Sequence, residues 1–130
     1  MEITLKNLQK KISIPQAKIL KAAKTAFRKL GFNCQSLSIV FVGTQRMRVI
    51  NKKYLGHDYV TDVLTFALDA HAAEIIICPQ IAHVNARLYR SSTERELVLY
   101  VIHGILHLAG YDDHKPLDII QMRHMEKELL

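Results

Sequence analysis

The sequence predicts an α+β fold with a small mixed sheet, and three observations carry that prediction. Apolar, β-branched runs short enough to be strands recur at residues 37–42, 61–68 and 73–79. Segments with apolar residues at helical spacing alternate with them early in the chain and take over after residue 80. The expected order is β-α-β-α-β-β-α-α-α, strands and helices that alternate and then segregate. A chain of 130 residues without linker, repeat or low-complexity tract is expected to form one domain, residues 1–130, around one core.

Ile3 and Leu5 alternate with Thr4 and Lys6, the pattern of a short strand. Ser13, Ile14 and Pro15 open a helix that Gly31 ends, with proline near the first helical position. Its inner face is Ile19, Leu20, Ala23, Phe27 and Leu30, and Lys18, Lys21, Lys24, Arg28 and Lys29 point outward. Leu37 to Val42 is a strand closed by Gly43. Thr44 can cap a helix of about ten residues, with Met47, Ile50 and Tyr54 inward and Arg46, Arg48, Lys52 and Lys53 largely outward. A loop from Leu55 to Val60 leads to two strands, 61–68 and 73–79, joined by Asp69 to Ala72. The run Ile75, Ile76, Ile77 predicts a central strand covered on both faces. A helix from about Ile81 to Arg90 follows, then a break at Ser91 and Ser92. Pro116 starts a last helix that carries Leu117, Ile120, Met122, Met125 and Leu129.

Between them lies the stretch around which the chain is organised, Thr93 to His114. Thr93 and Glu96 have the spacing of a capping box before a long apolar run, and Gly110 can take the left-handed conformation that stops the helix. A helix apolar over most of its circumference is a buried one. One stripe differs: Glu96, Tyr100, His103 and His107 share a face. His103 and His107, one turn apart, can direct two imidazole nitrogens at one ion, and the segment Tyr111, Asp112, Asp113, His114 beyond the glycine can deliver a third ligand. The plainer alternative is two core histidines satisfied by hydrogen bonds. The glycine turn followed by Asp-Asp-His favours the metal.

Composition sets further bounds. No apolar run approaches the roughly 18 residues of a membrane span, and MEITLKNLQKK lacks the apolar core of a secretory signal. Cys34 and Cys78 follow no metal or redox spacing, so reduced thiols in a cytoplasmic protein are expected. The net charge of +6 is uneven: residues 1–31 carry eight Lys/Arg against Glu2 alone, and residues 32–130 carry ten against eleven acidic groups. Nucleic acid is the natural partner for such a basic segment, with a solvated helix face as the alternative.

The run HGILHLAGYDDH at 103–114 resembles the HGxLHLxGYDH signature of the YbeY family, bacterial metal-dependent endoribonucleases. Asn51, Tyr54 and TDVLTF at 61–66 are similar to that family's N-x-x-Y-R and T-D-V-L-S-F block, and AEIIIC at 73–78 to its G-D-I-x-I block, with Glu74 in the aspartate position. The likeness covers about residues 37 to 125. It implies a four-stranded sheet with about five helices packed around it and a metal site in a cleft. It further implies one zinc ion per chain, cleavage of single-stranded RNA, and a role in 3′ end maturation of small-subunit (16S) ribosomal RNA and ribosome quality control. Ribosomal RNA and the small ribosomal subunit are then the expected partners.

Two departures from the family pattern bear on the chemistry. The third histidine ligand is replaced by Asp113, with His114 one residue later, and both are acceptable zinc ligands. Counting without a gap favours Asp113 and keeps Met122 where the family has its methionine; His114 is the alternative. The family's arginine after the tyrosine is Leu55 here, which cannot pair with a phosphate. Arg46, Arg48, Lys52, Lys53 and His57 are the nearby cations that can stand in for substrate binding. Three protein ligands leave a fourth position open for a catalytic water, with no certain side-chain base. Asp112 can orient that water or a histidine, or hydrogen-bond the turn backbone, the use expected of it. Tyr111 and Glu74 are expected to be structural, and Thr61 and Asp62 to shape the cleft entrance. The signature also resembles the zincin helix HExxH, but Gly104 stands where that helix has its glutamate base. The competing functions are therefore a non-catalytic RNA- or ribosome-binding factor braced by metal, and a hydrolase of another substrate, which Gly104 disfavours.

Overall fold

A computed structural model describes residues 1–32 and 34–130. The elements are β1 (Glu2–Asn7), α1 (Gln16–Leu30), β2 (Ser36–Phe41), α2 (Thr44–Leu55), β3 (Val63–Ala67), β4 (Ala72–Ile77), α3 (Pro79–Leu88), α4 (Thr93–Leu108) and α5 (Pro116–Leu129). The strands form one mixed sheet in the order β1-β2-β4-β3, so the α+β class with four strands and five helices is what the chain adopts. β1, β2 and β4 run parallel and β3 is antiparallel to β4, with Leu5, Ile39, Ile75 and Thr65 in one cross-sheet row.

β4 is an interior strand, as its isoleucine run predicts. Ile75 and Ile77 enter the main core beneath α1, α4 and α5, and Ile76 joins Val40, Val42, Met47 and Leu64 in a smaller cluster beneath α2. α4 is the central helix, packed against β3, β4, α1, α3 and α5. Its approach to the sheet is unusually close at Gly104. A β-carbon there would stand 2.8 Å from Ile75 Cδ1 and 3.1 Å from both Ile75 Cγ1 and Cγ2. The glycine lets a helix of large apolar side chains lie flat on a β-branched strand.

Several local expectations change. α4 begins one residue earlier than the capping box implies: Ser92 is the N-cap, and its hydroxyl accepts the Arg95 amide at 3.1 Å. Thr93 is the first helical residue, and Glu96 is buried on the inner side of the helix. Gly43, not Thr44, occupies the N-cap of α2, without a side-chain bond, and α2 runs on to Leu55. Tyr54 is 60% exposed, its ring resting edge-on against Phe66 at 5.6 Å. Pro79 does not end a strand but starts α3. In α5, Met122 and Leu129 are buried and Met125 packs on the core. Leu117 and Ile120 lie off that stripe, as their spacing from Met122 on a 3.6-residue period dictates, and are exposed.

Gly104→Ala tests how tight the α4–β4 contact is. Only the tip of Ile75 can swing away, because its two γ-carbons are fixed by branching. Overpacking of this kind costs about 1–3 kcal/mol. A fall of that size in the urea unfolding free energy is expected, with an unchanged m-value.

Candidate metal centre

His103 and His107 lie on the side of α4 that looks toward β3, and both are partly exposed. The helix stops at the residue the sequence nominates. Gly110 takes φ +101°, its amide donates to the His107 carbonyl at 3.0 Å, and the Tyr111 amide donates to Leu106 at 3.0 Å. These two bonds are those of a Schellman turn, which satisfies the last carbonyls of α4 and reverses the chain. Tyr111 then packs on the core, as expected of it. The Asp112 carboxylate accepts the Asp113 amide at 2.8 Å, the turn-holding use expected of it.

The reversal brings Asp113 back over the histidines. Asp113 Oδ2 lies 3.4 Å from His103 Nε2 and 3.6 Å from His107 Nε2, and the two nitrogens are 3.0 Å apart. Tetrahedral ligands about 2.0–2.1 Å from a zinc ion stand roughly 3.3 Å from one another. The triangle of donor atoms brackets that value, so this set fits a divalent transition ion. His114 turns outward; its side chain is 83% exposed, and Nε2 lies 3.4 Å from Asp112 Oδ1.

One residue of the centre escapes the sequence analysis. Glu126, on α5, is 5% exposed, and its carboxylate lies 2.8 Å from His103 Nδ1 and 2.9 Å from Arg123 Nη1. Burial pushes its carboxyl pKa up, but the hydrogen bonds from His103 and Arg123 outweigh burial and leave it below its ordinary value. The available signal was its place one turn after Met122, on the inward stripe of α5.

The donor triangle opens into a cleft of about 690 Å³ between α4 and β3, lined also by Leu55, Tyr59, Thr61, Asp62 and His114. Thr61 and Asp62 stand at its entrance, where Asp62 accepts the Val63 amide at 2.7 Å and fixes the start of β3. None of Arg46, Arg48, Lys52, Lys53 and His57 lines the cleft. Arg48 and Lys52 turn to Asp58, at 2.8 and 3.8 Å, and Arg48 holds that carboxyl below its ordinary pKa. Lys53 lies over the Tyr54 ring, and His57 stacks on Tyr59. Arg46 lines a separate groove with Lys6 and Glu74, on the sheet face beneath α2. The loop carrying His57 to Tyr59 is tied down by Asn51, whose buried side chain donates to the Tyr59 carbonyl at 3.0 Å.

The model of the family described as "Endoribonuclease YbeY" matches residues 4–130. The chain belongs to the YbeY family. Two curated relatives bear the same name: that of Chlorobium luteolum is 33% identical, covering 100% of this chain and 96% of its own, and that of Chlorobium phaeovibrioides is 35% identical, covering 100% and 89%. The solution structure of TM1509 from Thermotoga maritima is similar, with a TM-score of 0.63 and 30% identity over 99% of this chain and 89% of that one. No helix among the described residues is long and apolar enough to cross a membrane.

Asn51→Ala removes the tie between α2 and the loop at the cleft mouth. A loss of about 1–2 kcal/mol in unfolding free energy is expected. Faster hydrogen exchange should be confined to the amides of residues 57–61, read by NMR.

Proposed function

We propose that this chain is a metal-dependent endoribonuclease, with residues 1–130 acting as one unit and His103, His107 and Asp113 as the ligands of one zinc ion. The observation that carries the reading is the triangle of donor atoms, edges 3.0, 3.4 and 3.6 Å, open to a cleft. Family membership supports RNA as the substrate. By the same likeness, single-stranded ribosomal RNA of the small subunit is the substrate, 16S 3′ end maturation and ribosome quality control are the roles, and the cytoplasm is the location.

A divalent ion held there supplies Lewis-acid polarisation of a phosphoryl oxygen. The chain's own residues supply position and shape. His103 and His107 present fixed nitrogens from a buried helix, and Asp113 is held by the Gly110 turn. His114, exposed at the cleft, turned from the triangle and 3.4 Å from Asp112, is the imidazole on the cleft wall that would exchange a proton with a leaving oxygen. Leu55 gives the cleft rim an apolar surface against which a ribose or base can pack. Phosphate charge would be met only from outside the cleft, by side chains that must first leave their present partners: Arg48 and Lys52 on Asp58, Lys53 on Tyr54 and His57 on Tyr59, with Arg46 in its own groove. The basic outer face of α1 extends that field to more distant phosphates.

A second reading rests on a specific observation. The lining of the cleft contains no lysine or arginine, and Leu55 occupies the rim. This favours a non-catalytic factor that binds RNA or the ribosome and is braced by its metal. A peptidase is disfavoured by Gly104, whose side-chain direction points into Ile75 and not into the cleft, so a base there could not reach a substrate.

Metal analysis and RNA cleavage decide between these. Protein purified without a tag should carry about one zinc per chain; Asp113→Ala should lose it and His114→Ala retain it. Zinc lost only from His114→Ala would move the third ligand, and a folded wild type unable to take up zinc would defeat the metal reading. Chelator-sensitive cleavage of single-stranded RNA is expected, and its absence from zinc-loaded protein that still binds RNA would establish the second reading. Leu55→Arg should raise the cleavage rate about tenfold, since one well-placed charge stabiliser is worth at least that much.

A further inference from the structure

We propose that Glu126 is a positioning residue for His103, fixing which imidazole nitrogen carries the proton and hence which one faces the cleft. The inference rests on the assignment of His103 as a ligand. An ionised carboxylate only accepts hydrogen bonds, so the 2.8 Å contact makes His103 Nδ1 the donor. The lone pair of the neutral ring is then on Nε2, which is the atom 3.0 Å from His107 Nε2 and 3.4 Å from Asp113 Oδ2. The opposite tautomer would place a proton inside the donor triangle and leave a buried carboxylate facing a bare nitrogen lone pair.

The rest of the arrangement serves the same end. Glu126 is 5% exposed, so water does not compete for Oε2. Its other oxygen accepts from Arg123 Nη1 at 2.9 Å, so the second lone-pair side of the buried carboxylate has its own partner. His107 has no carboxylate on its Nδ1 among the described bonds, so the two histidines are held differently. Glu126 could instead be a buried acid satisfied by Arg123, with the His103 contact incidental. That alternative predicts no effect on the ring.

The test compares metal-free wild type, Glu126→Met and Glu126→Gln at a pH where the rings are neutral. Long-range proton–nitrogen NMR reports which nitrogen of His103 bears hydrogen. Competition with a chromophoric chelator gives zinc affinity, and urea unfolding confirms the fold. Methionine is apolar, of similar volume, and suited to a stripe already holding Met122 and Met125. In wild type His103 should be the Nδ1–H tautomer. Glu126→Met should shift the ring toward Nε2–H and weaken zinc binding about 10- to 100-fold, the usual cost of losing such a partner. Glu126→Gln keeps an accepting oxygen, so the Nδ1–H form should persist while affinity falls severalfold. A Glu126→Met protein that keeps either the wild-type tautomer or the wild-type affinity overturns the proposal. If that variant does not fold, an affinity within twofold of wild type in Glu126→Gln overturns it. Wild type that takes up no zinc overturns the metal assignment and this inference together, a result distinct from the others.

Discussion

The close approach of α4 to β4 at Gly104 is the constraint on which the rest of the structure depends. A helix carrying Leu97, Val101, Ile102, Ile105 and Leu106 must be enclosed, and enclosure here comes from sheet, α1, α3 and α5 together. Once Gly104 lies against Ile75, helical geometry fixes every other direction. His103 and His107 are turned toward the edge strand β3, and the cleft exists because β3 ends the sheet beside them. The same residue that permits the packing removes the position from which a zincin glutamate would act. Core and chemistry are thus settled by one missing side chain.

The second constraint is the length of the turn. The Schellman bonds at Gly110 and Tyr111 set where the chain leaves α4, and three residues after the glycine it is again level with the histidines. A fixed exit of this kind selects a position, not a residue type. Asp113 sits at that position and His114 does not, which is why the side chain nearer the triangle is the carboxylate. A carboxylate in place of an imidazole adds a negative charge to the group and would shift its preference toward harder ions.

Much of this was legible in the chain, for reasons that can be stated. The isoleucine run of β4, the alternation in β1 and the glycine after α4 are local patterns, and local patterns survive folding. The grouping of His103, His107 and Asp113 was legible too, because the first two share a helix face and the third follows a glycine stop. What was not legible depended on long-range packing. Whether Ser92 or Thr93 caps α4 depends on where the chain leaves α3, and both hydroxyls suit the position. Tyr54 reads as inward by period but lies at the end of α2 over the edge strand β3, where its ring meets Phe66 and stays largely exposed. Glu126 reads as one of several acids on α5 until that helix is laid against α4.

The distribution of charge completes the picture. Each side chain expected to stand in for the family's arginine is engaged or aimed elsewhere: Arg48 and Lys52 on Asp58, Lys53 on Tyr54, His57 on Tyr59, and Arg46 in the groove beneath α2. The basic excess sits on the first segment, mostly on the outer face of α1, whose other side packs on α4 and α5. The basic excess and the His103, His107 and Asp113 group therefore lie on different elements. Attraction at a distance falls off within about a Debye length, roughly 8–10 Å at physiological salt. An RNA that met both the basic segment and that group would have to be long enough to reach from one to the other.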